Sequence, residues 1–507
     1  MTKKRRIVAA LTCLGLIAAA CGDDEPAGSD TDAPSDATGD TAGTGTTTAD
    51  TGGTETTTAD TGGTETTTAD TGGTDTTTAD TGGTETTTAE TTGESVDPAS
   101  IETDIGVDDE TIKIGVLADL SGAFAPLVTE ITEAQRVYWD KVNEEGGIAG
   151  RQIELVVEDT GYDVPTHLEK YEGMRDEVAI IGMSVGSPHT SAIAQDLVDD
   201  NLIAIPLTWY SGWADPDFGT NVFETYTNYC IESMNALEYF SKNEDVKTVA
   251  IINFPGEYGG DGAAGAKMAA EELGLEVVYD GTDQVVAPTA ENASPDQSAV
   301  ISQIVDADPD LVWTSINPAT LGSIMSGAVG QGFKGLWSGN SPSYSFKLLA
   351  TELAPLLDEH YIASTYIATW GADVPGMEEV VTAMSEAKPD LPVSDVYILG
   401  WTEAQVTRAI LEHAAENGDM TREGIVAAAN EVEVTFGGLA PDQTWAGEPN
   451  DYIVRESYLY DVVLDKYKEA SVSEGGGSTG SELLEGPYTS DLAKNYTYEG
   501  PCFEPTG

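Results

Sequence analysis

What most constrains this chain is a pattern that occurs twice: short apolar runs alternating with longer stretches of helical spacing. The first series opens with IKIGVLA at 112–118, the near-continuous apolar run that a strand buried on both faces requires. In residues 129–145, Ile131, Ala134, Val137, Tyr138 and Val142 recur at helical intervals, and a Gly-Gly pair follows as a stop. Then come QIELVVED, a helix near 163–175, VAIIGM, a helix near 189–200, and LIAIP. A second series begins near 247 with KTVAIIN, a helix over 259–273, LEVVYD, a helix over 296–307, DLVWTS, a helix over 319–331 and GLWSG. Apolar runs separated by helices pair in parallel through right-handed crossovers. The expectation is α/β: two doubly wound three-layer lobes with parallel sheets. About 360 residues of globular sequence also exceed one compact core. Helical segments near 376–387, 395–417 and 421–431 come next, and then the strand-like RESYLYDVVL.

The second series contains Gly260-x-Gly262-x-x-Gly265 after TVAII, with Asp280 closing the next apolar run. On paper this is a dinucleotide fingerprint. In such sites the first glycine sits at the strand's end, so that phosphates meet the helix N-terminus directly. Here FPGEYG intervenes, and the glycines are expected to be small residues that let a helix pack closely on its sheet. No G-x-S-x-G, H-E-x-x-H or P-loop is present, since Lys267 lies two residues past Gly265 and is followed by Met268. The four histidines, at 167, 189, 360 and 413, show no metal-ligand spacing. No enzyme activity, cofactor or metal is expected.

The N-terminus, MTKKRRIVAALTCLGLIAAAC, has a basic n-region and an apolar stretch, Ile7 to Ala19, of secretory rather than membrane-spanning length. Ala18-Ala19-Ala20-Cys21 resembles the lipobox of bacterial lipoproteins, departing from it at Ala18, where that family usually has Leu. The resemblance implies a signal peptide over 1–20 and a lipidated Cys21 that anchors the chain to the outer face of the cell membrane. An ordinary secretory signal with an incidental cysteine is the alternative. Residues 21–108 are expected to be a stalk: near-copies of TGGTETTTAD start at 51, 61, 71 and 81, and they lack the apolar face a solenoid needs. The chain carries 88 acidic against 22 basic residues, net −66, so nucleic acid and anionic surfaces are poor partners. Cys230 and Cys502 remain as a possible disulfide across the SEGGGSTG linker, the alternative being two free thiols.

Several segments together resemble one known family: IKIGVLADLSGAFAP, VNEEGGIAGRQIELVVEDTGYD, IIGMSVGSPHTSAIAQ, NLIAIPLTW and VAIINFPGEYGGDGAAG. Over about 110–465 they are similar to the type I solute-binding proteins of ABC importers, with the Leu/Ile/Val-binding group nearest. The resemblance implies lobes joined by a three-crossover hinge, with crossings near 226, 362 and 440. Lobe I would comprise 109–226 and about 363–440, lobe II 227–362 and about 441–470, and 471–507 a C-terminal linker and tail. A small-molecule ligand would be held at the C-terminal edges of both sheets, and the closed, monomeric protein would be recognised by an ABC permease.

The family's amino-acid anchors are displaced here. Its serine position falls on Gly186, with Ser187 beside it, and its Ser/Thr position falls on Trp209, with Thr208 beside it. The glutamate that meets the ammonium in the leucine-binding group falls near Ser341, where no carboxylate stands. A buried ammonium without a partner is costly, so either another acid reaches in or the ligand is not an α-amino acid. The family's cleft-facing aromatic matches Tyr258, and another cleft-facing position matches Asn317; Ser121 is a weaker candidate. Trp209, Tyr210 and Trp213, with Tyr258 and Trp313, suggest aromatic walls suited to a planar, aromatic or cationic ligand, with core packing the alternative for half of these rings and Trp209 and Tyr258 the two expected at the wall. The functional expectation is an importer's receptor for an amino-acid-like or related polar organic ligand, with a ligand sensor as the alternative.

Overall fold

Each apolar run of the first series becomes a strand of one sheet in the computed structural model, which describes residues 97–505 except 290 and 291. The signal, Cys21 and most of the expected stalk lie outside the described residues. Strands β1 (Thr111–Ala118), β2 (Gln152–Asp159), β3 (Ile180–Val185) and β4 (Ala204–Leu207) pair in the order β2-β1-β3-β4, all parallel. Central β1 shows why a near-continuous apolar run was needed, for Ile112, Ile114, Val116, Leu117 and Ala118 are wholly buried between helix layers. Helices α1 (Ala125–Glu144), α2 (Val164–Met174) and α3 (Ser187–Asp199) are the crossovers. Asp163 starts α2 by accepting from the Thr166 N–H at 3.0 Å.

The second lobe repeats the plan after a helix that the sequence reading passed over, α4 (Tyr229–Asn243), capped by Asn228. Strands β5 (Thr248–Asn253), β6 (Glu276–Gly281), β7 (Leu311–Ser315) and β8 (Leu336–Gly339) pair as β6-β5-β7-β8, again parallel. They alternate with α5 (Glu257–Leu273), α6 (Ser298–Ala307) and α7 (Pro318–Gly330), and α8 (Ala354–His360) follows. Three further strands depart from a purely parallel lobe. β9 (Ile362–Thr365), β10 (Ser457–Val462) and β11 (Ser481–Tyr488) form an antiparallel set, joined to β8 through a Trp337–Tyr361 bridge. Between β9 and β10 the chain returns to the first lobe and builds α9 (Met377–Ala387), α10 (Val396–Glu416), which packs along α1, and α11 (Arg422–Ala429).

Both ends of the globular region are more ordered than composition suggested. Residues 97–108, expected as stalk, pack on the first lobe: Arg151 donates to Pro98 O and Asp108 O, and Glu102–Thr103 pair with Asp419–Met420. The segment expected as linker and tail supplies β11 and a short helix, α12 (Asp491–Asn495). It is tied to α4 by a Cys230–Cys502 disulfide. Glu238 on α4 accepts the Asp491 and Leu492 N–H groups, both at 2.9 Å.

The glycine motif is resolved by packing. All three glycines lie inside α5, which already begins at Glu257. A Cβ on Gly260 would lie 2.5 Å from the Phe503 ring, one on Gly262 2.1 Å from Asn340 Oδ1, and one on Gly265 2.3 Å from Cys230 O. The motif lets α5 lie against α4, the loop after β8 and the chain's own tail, so its close approach is to protein.

Candidate functional site: a ring-lined cleft between the lobes

The strands of both lobes end at a shared cavity with about 1000 Å³ of unfilled space, its open mouth included. Parallel strands bring this about, because every loop at a C-terminal strand edge faces the same way. After β3 comes Gly186, at φ 94°, a conformation that suits glycine, and the chain enters α3 at Ser187. After β4 come Thr208 and Trp209. The Ser187 and Thr208 hydroxyls bond each other, and Thr208 Oγ1 lies 3.4 Å from Tyr229 OH. From the second lobe, Tyr258 stands in the first turn of α5, donates to Ile316 O at 2.9 Å and packs on Tyr229 with centroids 4.6 Å apart. Ser341 follows β8, 3.2 Å from Thr365 Oγ1.

Of the residues singled out from sequence, Ser187, Trp209, Tyr258 and Ser341 line the cavity, as does Gly186. Thr208 sits behind Ser187. Asn317 does not line it; its Oδ1 caps α7 on the Thr320 N–H and its Nδ2 donates across the cleft to Ala123 O at 3.2 Å. Ser121 is exposed, in the turn beside Asp159. Lys347 makes a second interlobe contact, reaching Pro126 O at 2.6 Å and Glu130 Oε1 at 3.0 Å on α1. Both contacts join the two lobes.

The walls are mostly rings. Phe124, Tyr162, Trp209, Tyr229, Tyr258, Tyr344, Phe346, Tyr366 and Tyr460 all face the cavity, with Leu127, Val128 and Ile131 of α1 and Val396 and Leu399 of α10 between them. Trp209 packs on Tyr366 at 4.4 Å, and Tyr366 stacks on Tyr226 at 5.3 Å and 4°. The Trp209 indole N–H and the Tyr344 hydroxyl have no hydrogen-bond partner among the described residues. Behind Tyr162, His189 and His167 are buried, and burial lowers both pKa values, His167 to about 3. They bring no charge to the site at neutral pH.

Sequence reasoning missed two carboxylates here. Glu232, in the first turn of α4, is wholly buried and accepts from Asn340 Nδ2 at 2.8 Å, Ser341 N at 2.9 Å and Ser364 Oγ at 2.9 Å. Burial pushes its carboxyl up to about 8 against the pull of those bonds. It pins the Ser341 loop and β9 to α4, and it does not line the cavity. The signal was present: after Asn228, Ile231, Met234, Leu237 and Phe240 recur at intervals of three. Asp395, at the start of α10, does line the cavity, and burial raises its carboxyl to about 6.

Residues 111–467 match a family model described as periplasmic binding protein. The chain belongs to the periplasmic binding protein family. A solved structure titled fatty acid ABC transporter substrate-binding protein from Thermomonospora curvata aligns at 30% identity and TM-score 0.70, covering 79% of this chain and 97% of that one. A branched chain amino acid ABC transporter structure from Thermus thermophilus, with bound valine, aligns at 18% identity and TM-score 0.64, covering 76% and 98%. It shares the fold. Among curated proteins, the Leu/Ile/Val-binding protein BraC3 of Rhizobium johnstonii is 27% identical over 215 residues, which is 40% of this chain and 53% of that protein. The chain thus spans about half the length of the curated relatives it matches. Family membership and the two-lobed α/β fold agree with the reading of the sequence.

Proposed function

We propose that this protein is an extracytoplasmic solute receptor that closes on an organic ligand with an apolar body and presents the closed form to an ABC permease. The supporting observation is the cavity wall: nine rings and a row of aliphatic side chains. Such a wall rewards buried apolar area at about 25 cal/mol per Å². This shifts the expected ligand from a small polar molecule towards a longer apolar one, the direction in which the Thermomonospora neighbour's title also points. Closure follows from ligand bridging both lobes, since only the closed form offers it Trp209 and Tyr258 together. Lipid anchoring through Cys21 would hold the receptor at the membrane; a sensor that hands its closed state to a membrane receptor would use the same clamp.

A second reading, a branched-chain amino acid receptor, is favoured by the names of the curated relatives. Against it, the carboxylate nearest the Ser341 loop, Glu232, is already engaged by three donors. Thermal shift separates the two. A ligand at about 1,000 times its dissociation constant adds roughly 4 kcal/mol. Stabilisation by eight-carbon aliphatic or aryl compounds, with little from leucine, isoleucine or valine, is the expected result; the reverse pattern refutes the proposal.

A further inference from the structure

The cavity wall holds one carboxylate and no base. Asp395 has one oxygen committed: Oδ1 accepts from the Trp370 N–H at 2.6 Å and from Thr479 Oγ1 at 2.9 Å. Oδ2 accepts nothing from the described residues, although the side chain lines the cavity. No Lys, Arg or His stands among the lining residues. Lys347, next to the wall residue Phe346, is turned away onto Glu130 and Pro126 O. Glu130, which accepts from Ser394 Oγ at 2.7 Å, has its charge offset by Lys347, so Asp395 is the carboxylate that decides the local sign.

An ionised oxygen facing an apolar space is costly unless the ligand brings a donor to it. Ring faces carry negative potential and attract cations. The whole chain, at net −66, opposes the approach of an anion and favours that of a cation. Three independent features therefore select the same charge. Resting on the reading of the cleft as a receptor for an apolar solute, we infer that this solute is an aliphatic or aryl amine whose ammonium sits on Asp395 Oδ2. Asp395 then selects amines over carboxylates of the same size.

Octylamine, octanol and octanoate, titrated calorimetrically into the purified protein, test this. Octylamine is expected to bind about tenfold or more tighter than octanoate. In Asp395→Asn, which keeps an acceptor for Trp370 and Thr479, octylamine binding falls about tenfold while octanol changes less than about threefold. Thr479→Val removes the tail's bond without touching Oδ2 and leaves the octylamine preference in place. Octanoate binding tighter than octylamine, or an Asp395→Asn variant that weakens all three ligands alike, overturns the inference and leaves the apolar-solute reading standing. Absence of binding by all three overturns that reading and the inference with it. Should Asp395→Asn fail to fold, the octylamine-to-octanoate ratio in the unmodified protein and in Thr479→Val still decides.

Discussion

Replacing Cys502 with serine removes the bridge to Cys230 and leaves the rest of the tail's contacts available. The bridge closes a loop of 272 residues. In the chain-entropy treatment a loop of that length restricts the unfolded state by about 19 cal/mol/K, or roughly 5.6 kcal/mol at 25 °C. Native bridges typically deliver about 2–5 kcal/mol, and the lower half of that range applies if the unfolded chain keeps residual contacts. The folded protein loses little, because the tail retains local anchors: Cys502 N on Ser211 Oγ at 2.8 Å, Tyr210 OH on Phe503 O at 2.7 Å and the Phe503 ring against Gly260. Two measurements follow. Urea unfolding should show Cys502→Ser less stable by about 3–5 kcal/mol, and ligand affinity should stay within about threefold of the parent. An unchanged midpoint, with the bridge shown to be present in the parent by thiol titration, refutes the loop-entropy argument. A large loss of affinity with a small loss of stability refutes it differently: the bridge would then act on the folded hinge beside Trp209.

Three shorter predictions concern buried charge, closure and packing. Burial raises Glu232 to about 8, Asp261 to about 7 and Asp395 to about 6, and holds Glu403 well above its ordinary 4.5. These groups bind more protons in the folded than in the unfolded chain above about pH 4, so their share of the stability is lost as pH rises through their folded pKa values, while buried His167, with its pKa lowered, works in the opposite direction below its ordinary value. The Glu403 carboxylate accepts one hydrogen bond from the described residues, from Gln135, and Glu403→Gln should stabilise the protein at pH 8 and lose that advantage near pH 4; a variant equally altered at both pH values contradicts the assignment. Lys347→Met removes the half-buried contact to Glu130 and should weaken ligand binding by a few-fold, about 1 kcal/mol or less, without altering the wall; unchanged affinity would mean that the contact does not bias closure. Gly262→Ala places a Cβ 2.1 Å from Asn340 Oδ1 and 2.3 Å from Ser315 Oγ and should cost about 1–3 kcal/mol in denaturant unfolding; a neutral result would mean that α5 can slide.

The parallel sheets were legible because burial on both faces leaves a near-continuous apolar run that nothing else in a soluble domain needs. Ile112 to Ala118 and Thr248 to Asn253 carry that signature almost undiluted. The antiparallel set was only half legible. SYLYDV at 457–462 reads as a strand, but Ser481–Tyr488 alternates too weakly, with Leu483 50% exposed and the strand at the sheet's edge. Gly475, Gly476 and Gly480, which read as a linker, occupy positive φ and serve the turns that lead into it. Helix α4 was overlooked although Ile231, Met234, Leu237 and Phe240 recur at intervals of three, because Glu232, Ser233, Asn235 and Glu238 interrupt them and are buried as well: Tyr229 to Phe240 is buried throughout, against α5 and β10, so polarity does not mark a solvent face.

The site separates what spacing can reveal from what it cannot. Fixed spacing within each of three strand-end loops carried Ser187, Trp209 and Tyr258 to the cavity, because a loop at a parallel strand's end has few places to go. Asn317 shows the limit: it stands at the right strand end, yet the two partners it finds, the Thr320 N–H and Ala123 O, turn it into a cap and an interlobe latch. Asp395 lies beyond such reasoning altogether. It reaches the cavity only because the chain recrosses to the first lobe after β9, because α10 then packs along α1, and because Thr479 arrives from the tail to hold one of its oxygens. In a chain with 88 acidic residues no local pattern marks that one. What distinguishes it is an oxygen without a partner among the described residues, on a residue of a wall that holds no base, a property of the assembled cleft. On the proposed reading, ligand specificity is therefore tested more sharply at Asp395 than at the serine and threonine positions that the family pattern points to.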